Sequence, residues 1–153
     1  MKKYILAIDA GTTGITILLF DNNAKIVKRT YSEFNQIYPK PSWVEHDPIE
    51  IWNTTQKLLH DIVENIDPKS IASIGITNQR ETTVVWNRLT SIPIYNAIVW
   101  QCKRTSKQCE ELISSGYSDK FQSKTGLIID SYFSGTKINW ILNNITNAYD
   151  MAK

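Results

Sequence analysis

The 153-residue sequence is poor in the residues that hold metals or staple small domains, with two cysteines and two histidines. Cys102 and Cys109 stand seven apart, and His46 and His60 lie far from both. That set lacks zinc-site spacing, so two reduced, partly buried thiols are expected in a reducing compartment. Charge of one sign is scarce as well. The 17 basic and 15 acidic residues leave a net charge of +2. This argues against a nucleic-acid footprint, which needs a concentrated basic face. Long apolar runs are missing: the longest are of strand length and are broken at Asp9, Asp21 or Asn78, so no membrane span is expected. Met1-Lys2-Lys3 before Tyr4–Ile8 resembles the start of a leader, but Asp9 ends the apolar segment too early for one. A cytoplasmic location is expected, which makes the sequons at Asn53 and Asn144 chance matches. No repeat or low-complexity tract occurs.

What is present is ordinary globular material, 42% hydrophobic and 21% charged, in a chain long enough for a real core. Tyr4–Ile8 reads as a buried central strand. Asp9-Ala10-Gly11-Thr12-Thr13-Gly14 is turn chemistry, followed by a second strand at 15–20. Asp21-Asn22-Asn23 signals a tight turn into a third strand at 24–31, with charges on its exposed side, so the chain opens as a β-meander. Asp47-Pro48-Ile49-Glu50 starts a helix: Asp as N-cap, Pro at the first position, Glu closing a capping box. Ile49, Trp52, Leu59, Ile62, Val63 and Ile66 form its expected apolar face, and Asp67-Pro68 stops it. A strand at 71–77, entered from a helix, is expected to pair in parallel. A hairpin is expected over 82–86 and 92–95, and a short strand at 98–100. Helices follow at 103–115, 118–124 and 138–144, with Gly116 and Gly126 ending the first two. A small polar segment closes the chain.

Two stretches carry possible chemistry. In the first hairpin, Gly11 and Gly14 let backbone N–H groups approach an anion closely, and Thr12 and Thr13 add hydroxyls. Asp9 at the strand end is placed to hold a hydrated Mg²⁺ beside phosphates. This is no Walker loop, because no Lys follows the second Gly and a strand follows the turn. A plain turn is the simpler reading of these residues alone. The second stretch is Ile74–Arg104, where an apolar strand stops at Asn78-Gln79-Arg80-Glu81. A fork-shaped cation beside a carboxylate can grip adjacent hydroxyls, one donating and one accepting, which suits a small polyol. An ordinary ion pair capping a strand is the alternative. Trp86 and Trp100 end strand-like runs and could be core fillers. Trp100 is followed by polar residues, and Tyr132 sits in a Gly/Ser-rich loop where it could offer its hydroxyl or simply pack.

Residues 74–83, 93–105, 36–48 (Gln-Ile-Tyr-Pro-Lys-Pro-Ser-Trp-Val-Glu-His-Asp-Pro) and 132–137 (Tyr-Phe-Ser-Gly-Thr-Lys) carry a resemblance. They resemble the amino-terminal part of the glycerol-kinase branch of the FGGY carbohydrate kinases, nearly from end to end of the chain. The resemblance implies an α/β fold of the actin/sugar-kinase (ribonuclease H-like) ATPase type, with a mixed sheet and flanking helices. It implies residues 1–153 as one incomplete amino-terminal domain, the first lobe only, with the nucleotide-binding lobe outside it. The implied reaction is ATP- and Mg²⁺-dependent phosphorylation of glycerol to sn-glycerol 3-phosphate. Arg80 and Glu81 would bind the hydroxyls, Trp100 would pack on the carbon chain and Tyr132 would close the site. Asp9 would face the metal, and Gly11, Thr12, Thr13 and Gly14 the phosphates of ATP or ADP. The family's catalytic-base Asp falls outside this chain, so no catalytic residue is assigned within it.

The sequence departs from the family pattern in places. Those enzymes carry Gln after the first Asp and Ser-Ser-Arg after the two Thr, where Ala10, Gly14, Ile15 and Thr16 stand here. Replacing that Arg removes a phosphate-facing charge. Ser131 takes the place of a Pro. Two further readings stand beside the kinase lobe: an inactive fragment or glycerol-binding remnant, and a kinase of another sugar or polyol. Ending at Lys153 is expected to expose Ile138, Trp140 and Ile141, inviting contact with the other lobe or self-association.

Overall fold

The computed structural model describes residues 3–153; Met1 and Lys2, with the start of the leader-like segment, lie outside the described residues. In chain order the elements are β1 (Tyr4–Ala10), β2 (Gly14–Phe20), β3 (Ile26–Glu33), β4 (Glu45–His46), α1 (Pro48–Val63), a 3₁₀ turn (Pro68–Ser70), β5 (Ile71–Asn78), β6 (Ala97–Ile98), α2 (Ser106–Ser114), α3 (Ser118–Thr125), α4 (Ser134–Asn144) and α5 (Ala148–Met151). They form two compact units, each discontinuous in sequence. The first is the chain through Asn35 together with Ile49–Gln79; the second joins Gln36–Pro48 to Arg80–Lys153.

The first unit is a four-stranded mixed sheet in the order β3-β2-β1-β5 with α1 beside it. The meander is antiparallel, and β5, reached through the helix, pairs with β1 in parallel. Alternation sets the core. Leu6 and Ile8 on β1 pair with Leu19 and Ile17 on β2, and with Ile15 they pack on Leu58 and Ile62 of α1. Each such buried aliphatic contributes about 1.5–3 kcal/mol of transfer free energy.

Three expectations fail here. The apolar face of α1 includes Leu59, Ile62 and Val63, while Ile66 packs on the same core from beyond the helix, which ends at Val63; Ile49 and Trp52 are exposed, and Ile51 and Leu58 take their place. Thr55 interrupts that stripe, and its hydroxyl bonds back to the Ile51 carbonyl at 2.8 Å, which is why the pattern misleads. The charges of β3 are not all on its outer side. Lys28 reaches across to α1 and donates to the carbonyl of Asp61, one of the carbonyls a helix end leaves unpaired. Glu50 also departs from the capping box, accepting from both the backbone N–H and the side-chain amide of Asn35 at 3.1 and 2.9 Å.

The second unit is held by short pairings. β4 and β6 are antiparallel, and Thr83 bridges to Ile98. The expected hairpin over 82–86 and 92–95 exists as a turn closed by Asn87 N–H to the Ile92 carbonyl and Ile94 N–H to the Val85 carbonyl. It forms no continuous ladder, since Pro93, opposite Trp86, has no N–H to give. Trp86 is 57% exposed and fills no core. The core is Ile98, Cys102 and Ile141, ringed by Trp43, Val44, Val85, Tyr95, Trp140 and Ile145. Cys102 and Cys109 are both buried and unbridged. Burial pushes the Cys109 thiol up, which keeps it protonated and unreactive.

Within this core Arg104 is stacked 4.0 Å from the ring of Trp43 and 4.5 Å from that of Trp140. It pairs with Glu45 at 2.5 Å. The same carboxylate accepts from the Tyr95 hydroxyl at 2.7 Å and the Asn96 amide at 2.9 Å. Against expectation, Ile141 is fully buried, and Trp140 is half-buried, 5.3 Å from Trp43 in an edge-to-face pair. Of the three residues expected to lie bare, only Ile138 is exposed. The helices keep their expected ends at Gly116 and Gly126, both with left-handed φ. Their starts move: α2 begins at Ser106 rather than 103, α4 begins at Ser134 rather than 138, and α5 forms where an irregular polar end was expected.

Candidate functional site

The first candidate lies in the first unit, at the turn between β1 and β2. Gly11 N–H donates to the carbonyl of Gly14, the first residue of β2, at 3.0 Å, closing the three-residue connection Gly11-Thr12-Thr13. Asp9 is exposed in the last turn-ward stretch of β1, paired with Thr16 on one side and Thr77 on the other. Thr13 is exposed and Thr12 half-buried. Gly14 has a hard steric reason: a Cβ there would sit 2.6 Å from the Ser32 carbonyl and 3.0 Å from the Tyr31 hydroxyl. The departure from Ser at this position is therefore matched by what β3 places against it. Gln79, passed over among the sequence candidates, braces the turn through its amide to the Gly11 carbonyl at 3.3 Å. Its signal was its place at the end of the parallel partner strand, just past Asn78. Among the described residues no cluster of three or more His, Cys, Asp or Glu could hold a metal by itself. A single exposed carboxylate fits a Mg²⁺ that keeps most of its waters and is shared with phosphates; it does not fit a dedicated protein cage.

The second candidate lies wholly in the second unit. β5 ends at Asn78, and the chain turns at Arg80-Glu81, where Glu81 has φ +64°, a left-handed conformation unusual for a residue with a side chain. Its carboxylate does not pair with Arg80. Glu81 Oε2 instead accepts from the backbone N–H of Ser134 at 3.0 Å and the Ser134 hydroxyl at 2.8 Å. Those groups open α4, so a carboxylate 53 residues earlier in the chain caps that helix, where the macrodipole favours negative charge. Among the described residues, Glu81 Oε1 accepts no hydrogen bond and the exposed Arg80 guanidinium pairs with no carboxylate.

Trp100 and Tyr132 meet edge to face, with ring centroids 5.9 Å apart. Both are half-buried. The Trp100 N–H donates to the Thr82 hydroxyl at 3.3 Å, which ties it to the residue after Glu81. The Tyr132 N–H donates to Asp130 at 2.6 Å. Lys137, fully buried on the first turn of α4, donates to the Glu81 carbonyl at 2.9 Å and to the Tyr132 carbonyl. Burial pulls its pKa down to about 8, against the pull of the Glu81 charge. The structure thus brings Glu81, Trp100 and Tyr132 together through short bonded links, while Arg80 is joined to them by the chain alone. Ser134 and Lys137 escaped the sequence reading: both sit in a Ser/Gly stretch that reads as loop, and neither a distant cap nor a buried lysine has a local signature.

A cation and an open carboxylate oxygen beside an aromatic edge can bind a small polyhydroxyl compound. The cation donates, the carboxylate accepts and the rings cover the carbons. The protein-family model described as the FGGY family of carbohydrate kinases, N-terminal domain, matches residues 4–153. A curated glycerol kinase of Leptospira biflexa is 54% identical over 154 aligned residues, covering 99% of this chain and 31% of that protein. The solved structure of Plasmodium falciparum glycerol kinase with ADP superposes with a TM-score of 0.89 at 35% identity, over 96% of this chain and 30% of its own. A gluconate kinase structure from Lactobacillus acidophilus gives 0.88 at 26% identity, over 99% of this chain and 30% of its own. The chain therefore spans about a third of the length of the relatives it matches. No described helix is long and apolar enough to cross a membrane.

Proposed function

We propose that this chain, which belongs to the FGGY family of carbohydrate kinases, supplies the acceptor-binding part and one phosphate-facing turn of an enzyme that transfers the γ-phosphoryl group of ATP to glycerol. The observation that carries the reading is the split at the turn: among the described residues, Glu81 caps α4 with one oxygen and keeps the other open, next to an Arg80 with no carboxylate partner. Were the two paired with each other, fewer of their donors and acceptors would face a ligand. Arg80 donates to glycerol hydroxyls, Glu81 Oε1 accepts from one, the Trp100 edge covers the carbons and the Tyr132 phenol closes the fourth side. The hydroxyls of Thr12 and Thr13, carried on the Gly11–Gly14 turn whose own Gly11 N–H is used within it, face nucleotide phosphates, and Asp9 would hold a hydrated Mg²⁺. When bound, that ion offsets charge on the phosphates. Positioning and charge stabilisation of this kind supply most of the catalysis in phosphoryl transfer. The base that takes the acceptor proton belongs to the second lobe of the family and is assigned to no residue of this chain. The likeness to glycerol kinases at 54% identity favours glycerol over the sugar acids and pentuloses that other members use.

A thermal-shift panel tests the acceptor: glycerol should raise the melting temperature while xylulose and gluconate leave it unmoved. Stabilisation by a pentulose alone would transfer the assignment to another acceptor. Phosphate transfer from ATP to glycerol is then assayed with and without a second polypeptide carrying the rest of a glycerol kinase. Turnover only with both present is expected. Glycerol binding without turnover in either case would make the chain a glycerol-binding remnant.

A further inference from the structure

Lys137 is the only lysine among the described residues that is wholly buried. Its position is costly in two ways. Its charge is out of water, and it lies on the first turn of α4, at the end where the helix dipole already disfavours a cation. What holds it there is a pair of backbone carbonyls, Glu81 and Tyr132, neither of which is in a strand or helix. Each belongs to a residue whose side chain lines the proposed acceptor site. One of them, Glu81, is in the left-handed region, which strains a side-chain-bearing residue and persists only when neighbours over-determine it.

We infer that Lys137 is a positioning residue of the acceptor site: its ammonium clamps the Glu81 and Tyr132 carbonyls and thereby sets the carboxylate oxygen and the phenol at one spacing for a small polyol. Glu81 is then held from both ends, its side chain by Ser134 and its backbone by Lys137. Tyr132 is held by the same ammonium and by Asp130. The inference rests on the glycerol reading given above. The titratable and charged groups facing the ammonium are the Glu81 and Asp130 carboxylates, which favour its charged form, the Cys102 thiol, and Lys103, which opposes it. The ring of Tyr132 lies 6.0 Å away. Loss of the proton weakens both bonds to the carbonyls, so site geometry and Lys137 titration are linked.

The test is glycerol affinity of the whole chain, by calorimetry, between pH 6.5 and 9.5. Wild type should bind progressively more weakly as pH rises through about 8. Lys137→Met should bind about tenfold or more weakly and show no such dependence, as expected for losing hydrogen bonds from a charged donor. Ile145→Val, in the hydrophobic core of the second unit, should lower the melting temperature without changing glycerol affinity, which separates positioning from mere stability. Lys137→Met binding glycerol as wild type does would overturn the inference and leave the glycerol reading standing. No glycerol binding by wild type would remove both. Should Lys137→Met not fold, the profile of wild type and Cys102→Ser decides: an inflection near pH 8 in both supports the clamp, and a flat wild-type profile overturns it.

Discussion

Gly14 and Lys137 are places where a single side chain, or its absence, decides local structure. A methyl group at position 14 would press on the backbone carbonyl of Ser32, which cannot swing aside as a side-chain tip could. Gly14→Ala should therefore cost about 1–3 kcal/mol, the usual range for overpacking, measured as a lower urea midpoint with unchanged slope. A wild-type midpoint would show that β3 gives way. Lys137 makes a pH prediction whose sign is fixed by the direction of its shift. Its folded pKa, about 8, lies below the ordinary 10.5, so between those values the unfolded chain holds a proton that the folded chain lacks. The destabilising contribution is complete below pH 8 and fades as pH rises toward 10.5. The stability difference between wild type and Lys137→Met should accordingly shift in favour of wild type across that window, in urea titrations at stepped pH. A constant difference would remove the buried ammonium as its source. Neither effect was legible in the sequence. Arg80-Glu81 stood out as an odd pair at a strand mouth, but that Glu81 would turn away to a serine 53 residues on depends on folding that no local pattern encodes.

Elements with self-contained signals were legible, and those assembled from distant partners were not. The meander reads from its apolar runs and from the Gly and Asp-Asn turns between them, and the start of α1 from Asp47-Pro48. The parallel entry of β5 follows from the helix before it. By contrast β4 and β6 are two residues each and exist because Glu45 and His46 meet Ile98 and Ala97 across a third of the chain. α4 gains its first turn from the Glu81 cap. The second unit's short pairings put more weight on its polar centre, where Glu45 serves Arg104, Tyr95 and Asn96 at once. Burial, then the bond to Glu45, raises the Tyr95 pKa and keeps its hydroxyl a donor. Glu45→Gln leaves the Arg104 guanidinium buried without its counter-charge. A loss of about 3–5 kcal/mol is expected, as for breaking one side of a buried pair, read as a large drop in melting temperature. A drop no larger than a surface change gives would show that the Trp43 and Trp140 faces alone carry the cation.

For the molecule as a whole, the exposed apolar surface is not where the sequence suggested. Trp140 and Ile141 are tucked into their own unit, while Ile74 and Ile76 on the outer strand β5 are 55% and 74% exposed. The two edges of the sheet differ in kind. β3 carries Lys28, Arg29 and Glu33, charges that discourage pairing with another chain, whereas β5 carries no charge and no proline over its eight residues. Concentration-dependent self-association is expected, and Ile76→Lys should reduce it in sedimentation experiments. Monodisperse wild type at high concentration would count against the β5 edge as adhesive.

The interleaving of the two units has a consequence for synthesis. The chain leaves the first unit after Asn35, returns at Ile49 and leaves again after Gln79. On a ribosome, β1 emerges early but waits for β5, and Glu45 waits 59 residues for Arg104. Neither unit can close as the chain's first half appears, so nascent hydrophobic strands stay open while distant partners are still being made. Such late closure slows folding relative to a chain whose units follow one another in sequence.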